Sequence, residues 1–325
     1  MDLLDAVRRQ AWDSRFYDLP AEAKAVPTML TGEEGKMLCW LGEHYFQGRG
    51  AVIDLGCFLG GSTVRLASGL QRSGRPWTMH SYDRFGIGEE HKEKWLYAAG
   101  YEKFEGRDMR HVFDKHVAPF APNVIAHPGN LQLHPWTGGP VEILFVDIAK
   151  SVSTHHFILD QFFPSLIPKH SIIVQQDYMF FQTPWLITAM ELLHPKIELV
   201  SWAQNNSALF ICNEAINESD LQRIRYDRLS QSEVERLFLR AWDRFPYEWQ
   251  REMLAVALDS YRLTPESQAD GDFRWLDMKA PPSLGPWSEP VAAEPELSAR
   301  TPSPGIWSIV LDRLKRSRNA SQQKR

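Results

Sequence analysis

The stretch Val52-Ile53-Asp54-Leu55-Gly56-Cys57-Phe58-Leu59-Gly60-Gly61-Ser62-Thr63-Val64-Arg65-Leu66-Ala67 joins an apolar strand, a glycine turn and the start of a helix in one short segment. Gly56 and Gly60 tolerate positive φ and carry no Cβ, so the backbone at this turn can come close to a ligand. A glycine turn also serves as a plain connection in many α/β proteins, so its neighbours decide how it is read. Thr78-Met79-His80-Ser81-Tyr82-Asp83 reads as a second strand ending in a carboxylate, roughly the twenty residues on at which an acid meets a ribose in nucleotide-binding folds. Asp83 can accept from both hydroxyls of an adenosine ribose, through charge-assisted hydrogen bonds of roughly 1.5–3 kcal/mol each.

The spacing D-x-G-x-x-x-G places an acid at the strand end and departs from the dinucleotide fingerprint G-x-G-x-x-G. That departure favours S-adenosylmethionine over NAD. Further strands are expected at 124–129, 141–148 and 171–178, separated by helical patterns such as Thr154 to Leu166 and a helix around Trp185 to Leu193. Strands alternating with helices predict a doubly wound, mostly parallel sheet covered on both faces. Ile197 to Trp202 and Ala208 to Cys212 are joined by a link too short for a parallel crossover, so they form an antiparallel hairpin. The prediction is therefore an α/β, Rossmann-like seven-stranded sheet ending in a C-terminal antiparallel hairpin, with C-terminal helices and a flexible tail.

With 325 residues, 43% hydrophobic and 24% charged, the chain can bury one large core and carry additions. A net charge of -5 argues against a general nucleic-acid binder, which needs a basic face for phosphates. Cys39, Cys57 and Cys212 have no framework spacing and sit in apolar contexts, as buried thiols of a reducing compartment do. The first residues lack the apolar core of a signal peptide and no run approaches about eighteen apolar residues, so the expectation is a cytoplasmic protein without a transmembrane segment.

Residues 1–50 read as helical, with Thr31-Gly32-Glu33-Glu34 as a helix-entry signal, and 1–215 as one domain including these helices. Residues 84–123, rich in charge and aromatics, read either as a lid or substrate wall or as an outer helical layer. A helical extension is expected over 216–279, with amphipathic helices at Leu221 to Leu239 and Trp249 to Tyr261 that pack on the core or on a second subunit. Seven prolines from Ala280 through Pro304 describe a linker in a tail expected to be disordered over 280–325. The tail ends in a basic amphipathic segment, Ile306 to Arg318, that either docks on a partner or an anionic membrane surface or stays solvated.

Strand one and its helix resemble the corresponding segment of catechol O-methyltransferase and of macrocin-type O-methyltransferases, class I S-adenosylmethionine enzymes, over roughly residues 30 to 213. The resemblance implies that Asp54, Gly56, Gly60 and Ser62 hold the methionine end of the cofactor, that Phe58 lies beside it and that Asp83 takes the ribose. Asn130, in Gly129-Asn130 at the end of the third strand, matches a polar contact to adenine and equally suits a simple turn.

The fourth strand ends in Asp147-Ile148-Ala149-Lys150, where a partly buried carboxylate needs a partner such as a divalent metal or a sulfonium. The catechol-type enzymes have D-x-x-K there, which implies Asp147 as a magnesium ligand and Lys150 as the base that removes a hydroxyl proton. Lys150 as a solvated surface lysine is the other reading. The macrocin type usually has His where Lys150 falls, so His155 and His156 remain as bases one turn on or as capping or surface residues. The second metal position of the relatives, Asp-Asp or Asp-Asn, is Gln176-Asp177-Tyr178 here, so Asp147 and Asp177 would hold Mg2+ with one hard oxygen ligand replaced.

The expected activity is methyl transfer to a hydroxyl of a small molecule or sugar-containing natural product. The loop after Tyr178, with Phe180, Phe181 and Trp185, would shape its acceptor site together with 84–123 and the N-terminal helices. The other class is a non-catalytic cofactor-binding or scaffold protein with the same fold, and either class can be a homo-oligomer.

Overall fold

Seven strands of the computed structural model form one sheet: β1 (Ala51–Leu55), β2 (Met79–Asp83), β3 (Val124–Pro128), β4 (Val141–Val146), β5 (Ile172–Gln175), β6 (Ile197–Ala203) and β7 (Ser207–Cys212). The structure describes residues 2–203 and 207–263. The order is β3-β2-β1-β4-β5-β7-β6, parallel from β3 to β5, with β7 antiparallel to both β5 and β6. This is the expected doubly wound sheet, with the last strand inserted between the fifth and sixth.

The central strands read as nearly continuous apolar runs because both of their faces are covered. Along β4, Leu144 and Val146 enter one core while Ile143 and Phe145 enter the other, and β1 divides Val52 from Ile53 and Leu55 in the same way. β3 closes one edge and leaves Ile125 exposed.

One face carries α1 (Leu3–Arg8), α2 (Ala21–Ala25), α3 (Gly32–Trp40) and α4 (Gly61–Arg72), together with α5 (Glu89–Trp95) and α6 (Arg110–Val117) of the 84–123 insert. α3 runs on into a π-turn over Leu41–Tyr45. It begins as the sequence predicts: the Thr31 hydroxyl accepts from Glu34 N–H while the Glu34 carboxylate accepts from Thr31 N–H.

The opposite face carries α7 (Val152–Phe162), α8 (Pro184–Leu193), α9 (Glu218–Arg223), α10 (Gln231–Trp242) and α11 (Glu248–Leu263). The helix expected over Leu221 to Leu239 is instead divided into α9, a 3-10 turn at Tyr226–Arg228 and α10. The break is chemical: Ser230 and Glu233 form a second capping box that starts a new helix. Phe238, Phe245, Leu254 and Leu258 of this extension enter the same core as α7 and α8.

Cys39, Cys57 and Cys212 are buried free thiols. Among the described residues no helix is long and apolar enough to cross a membrane. The readings on 204–206 and 264–325, which include the linker and the basic terminal segment, lie outside the described residues.

Candidate functional site

Strand register assembles the site. Gly129 N–H donates to Asp83 O, Gly56 N–H to Tyr82 O, Asp147 N–H to Leu55 O and Gln176 N–H to Val146 O, at 2.7–3.0 Å. Each bond extends the ladder by one residue past the regular strand. Gly129, Asp83, Gly56, Asp147 and Gln176 therefore stand side by side along the carboxyl edge of the sheet, across the switch between β1 and β4 where ligands bind in doubly wound folds. Segments far apart in sequence supply one row.

The glycines of the β1 turn are required by the protein itself. Gly56 has φ +98°, and a Cβ there would lie 2.9 Å from the carbonyl carbon and oxygen of Asp147. Gly60 has φ +92°, and a Cβ there would lie 3.2 Å from the Phe113 ring of α6. Backbone approaches backbone at Gly56, so this glycine brings the ends of β1 and β4 together before any ligand is considered. Three non-glycine residues at the same edge also hold positive φ: Phe58 (46°), Phe85 (52°) and Asp177 (61°). Strain concentrated at a sheet edge is a feature of binding and catalytic sites.

Asp83 organises two of those strained residues. Its carboxylate accepts from Phe58 N–H at 2.8 Å and from Phe85 N–H at 2.7 Å. Burial raises its pKa, against the lowering effect of these two bonds. Each oxygen retains a lone pair for a further donor. The Phe58 reading thus gains a local role: its backbone, as well as its half-buried ring, belongs to the turn.

Asp54 and Ser62, implied by the resemblance to share one end of the ligand, bind each other. The Asp54 carboxylate is fully buried and accepts from Ser62 Oγ at 2.9 Å and Thr63 Oγ1 at 2.6 Å. It clasps the first turn of α4 to the end of β1. Burial pushes its carboxyl up to about 7, with Asp147 and Asp83 adding to the shift. Asn130 serves the turn: its side chain accepts from Gln132 N–H at 3.2 Å and caps the 3-10 turn Leu131–Leu133.

Lys150 lies between the two acids expected to hold a metal. Its Nζ donates to Asp147 Oδ1 at 2.9 Å and also to Asp177 Oδ2. The three side chains are 38%, 24% and 18% exposed. Burial raises the Asp147 carboxyl to about 6 against the opposing pull of Lys150. Burial of Lys150 is outweighed by the two carboxylates, which hold it well above the ordinary lysine range. The pairing favours the ammonium form of Lys150, whereas the base role implied by the resemblance needs a neutral amine.

The magnesium implied by the resemblance does not fit this donor set. The phenol of Tyr178 is no substitute ligand, because the ring is buried in the core 5.1 Å from Phe210 and 6.1 Å from Phe245. Gln176 offers a neutral amide in place of a carboxylate. Among the described residues, no group of three or more His, Cys, Asp or Glu is arranged to hold a metal. A dication about 4 Å from the ammonium would be repelled by roughly 8 kcal/mol at an effective dielectric of about 20.

The surrounding segments hold this edge in place. Trp185 Nε1 donates to Ala149 O at 2.8 Å, which fixes the loop that carries Lys150. Phe180, Phe181 and Trp185, expected to shape an acceptor site, are all buried. The 84–123 insert builds on Lys92, which is buried and donates to Glu89 Oε1 at 2.6 Å and Phe104 O at 3.0 Å. It docks on the β1 turn through Phe113 and through His116, whose Nδ1 donates to Leu59 O at 2.6 Å while Nε2 accepts from Tyr101 Oη at 2.8 Å.

His155 and His156 belong elsewhere. His155 is buried in α7 without a hydrogen-bond partner among the described residues, and burial lowers its pKa to about 3. His156 Nε2 accepts from Tyr226 N–H at 3.1 Å, at the junction with the C-terminal extension.

Sequence reasoning missed Glu34. Its carboxylate is fully buried, accepts from Ser207 Oγ at 2.7 Å and from Thr31, and lies close enough to Asp177 for their charges to interact. Burial raises it to about 7. The Thr31–Glu34 spacing marked it as a cap, but only the fold brings β7 and β5 to it.

No protein-family model and no curated protein matches the chain. Among solved structures, the chain is similar to the O-methyltransferase NovP at 13% identity and a TM-score of 0.43, over 65% of this chain and 98% of that one. It is similar to CalS11, a TDP-rhamnose 3'-O-methyltransferase of calicheamicin biosynthesis, at 13% identity and 0.41, over 65% and 92% of the two chains. An O-methyltransferase from Bacillus cereus in complex with SAH follows at 16% identity and 0.37, over 64% and 88%.

Proposed function

We propose that the chain is an S-adenosylmethionine-dependent methyltransferase acting on a hydroxyl oxygen of a small molecule, with sugar-containing natural products among the acceptors. The observation that supports this reading is the acidic row Asp83, Asp54, Asp147 and Asp177 around a glycine turn at the sheet switch point, met by Lys150 at Asp147 and Asp177 and by the charge of Arg84 at Asp83. Carboxylates crowded in this way favour a cationic ligand that also brings hydroxyl donors. S-adenosylmethionine, when bound, supplies a methyl group made electrophilic by its positive sulfur.

The chain's own residues then do the rest. Asp83 accepts the ribose hydroxyls on the lone pairs left by Phe58 and Phe85 N–H. Asp54 keeps the β1 turn and the first turn of α4 in register, so that Gly56, Gly60 and Phe58 line the cofactor cradle. Alignment of donor and acceptor is the main catalytic contribution, worth about 7–11 kcal/mol when complete. Two of the three Lys150 N–H donors face Asp147 and Asp177, and the third is available to the acceptor oxygen, where it stabilises developing negative charge. Asp147, raised to about 6, is matched to accept the hydroxyl proton near neutral pH.

Titration calorimetry with S-adenosylmethionine and with its demethylated product tests the reading. Wild type binds both, and Asp83→Asn weakens binding by about tenfold or more, as expected for one lost charge-assisted bond of roughly 1.5–3 kcal/mol. Absence of heat with both compounds in folded protein overturns the assignment. Turnover on hydroxyl acceptors separates an enzyme from a cofactor-binding scaffold.

A further inference from the structure

We infer that the Lys150 ammonium is a built-in replacement for a divalent cation, so that the Asp147–Asp177 pair of the native chain binds no metal. The inference rests on the site assigned above and on the disagreement between its geometry and the implied magnesium. Lys150 Nζ donates to Asp147 Oδ1 at 2.9 Å and to Asp177 Oδ2 at the same time. A bridging cation would need those same oxygens.

Three further features make the arrangement a built one. Asp177 is held at φ 61°, and its carbonyl accepts from Phe180 N–H at 3.0 Å and Thr183 Oγ1 at 3.0 Å, so its carboxylate is presented from a fixed turn. Lys150 is fixed from the other side, where Ala149 O accepts from the buried Trp185 indole at 2.8 Å. The chain also carries Gln176, a neutral amide, beside Asp177, so only two formal charges stand at this position. With a neutral neighbour, the two carboxylates carry two negative charges against one positive charge already seated between them, so a dication would have to displace the ammonium to reach them. The spare negative charge is what a sulfonium would meet.

The role of Lys150 is then electrostatic and positional: it keeps two carboxylates together at the edge of the sheet. Removing the ammonium leaves two acids that share one vacancy of cation size. The inference thus makes an unusual demand, that deleting a positive charge creates a metal site.

Mn2+ binding, read by electron paramagnetic resonance and by calorimetry on the full chain without cofactor, tests it. Wild type shows no Mn2+ binding that Asp177→Asn abolishes. Lys150→Ala binds Mn2+ more tightly than wild type by about tenfold or more, and Lys150→Ala combined with Asp177→Asn loses the gain. Mn2+ also raises the melting temperature of Lys150→Ala and leaves that of wild type unchanged. Lys150→Gln, which keeps a hydrogen-bond donor, serves where the alanine variant folds poorly and shows the same gain in Mn2+ binding. Mn2+ binding by wild type that is lost on Asp177→Asn overturns the inference, and so does the absence of any gain in folded Lys150 variants. S-adenosylmethionine heats on the same proteins are independent of both results: no cofactor binding with the Mn2+ pattern intact sinks the functional reading and leaves the cation replacement standing.

Discussion

Asp54 carries the clearest consequence at the scale of single residues. Its carboxyl is fully buried and raised to about 7, and Glu34, also fully buried, is raised to about 7. A carboxyl whose folded value exceeds its unfolded value binds more protons folded than unfolded between the two. Its stabilising contribution is complete below about pH 4 and is lost as pH rises to about 7, on the order of 4 kcal/mol for Asp54. Urea denaturation across that window should show a steeper loss of stability in wild type than in Asp54→Asn, whose amide oxygen can still accept from Ser62 and Thr63. Equal slopes would mean that the carboxyl is not held neutral. The same ionisation bears on the proposed ligand: affinity for S-adenosylmethionine, relative to its uncharged-sulfur product, should rise with pH as Asp147 ionises near about 6. A pH-independent ratio would separate the sulfonium from these acids.

At the scale of elements, the fold depends on close approaches that admit no side chain. A Cβ on Gly69 of α4 would lie 2.0 Å from Cys39 O of α3, and one on Gly42 would lie 2.6 Å from Leu66 O. The two helices cross backbone to backbone. Gly69→Ala should therefore lower stability by roughly 3 kcal/mol, checked by chemical denaturation. Gly56→Ala should cost a similar amount, roughly 3 kcal/mol from positive φ and a backbone clash together. It should also weaken binding of the proposed cofactor, because Asp147 must retreat from β1. The two variants differ in readout: Gly69→Ala changes stability with binding intact in the folded fraction, whereas Gly56→Ala changes both.

Taken as a whole, the molecule is a sheet with unequal covers. α10 and α11 close the face over α8, where Phe245 lies against Tyr178 and Trp202, and Arg244 Nε donates to the buried Glu191 at 2.7 Å. Removing residues 217–325 would expose that apolar surface and leave Glu191 without its partner, a cost of about 3–5 kcal/mol for the charge alone. The shortened chain should bind a hydrophobic dye and lose its cooperative melting transition. Retention of a sharp transition would show that the seven-stranded sheet folds without its extension.

The alternation of strands and helices, the glycine turn, the Thr31–Glu34 cap and the strand-terminal acids Asp54, Asp83 and Asp147 were legible in the sequence, because each follows from local periodicity, turn chemistry or position at the end of an apolar run. The break at Ser230 was legible in principle, since its cap is also local, but helical periodicity on either side hid it. What lay beyond reach was every pairing across the sheet. Side-chain partners are set by register and by crossing backbones, so only the tertiary structure turned Asp54 toward Ser62 and Thr63, joined Glu34 to Ser207, buried Tyr178 under Phe245 and placed Lys150 between Asp147 and Asp177. The order of residues determined which acids stand at the strand ends; the packing of those ends against one another decided which cation they meet.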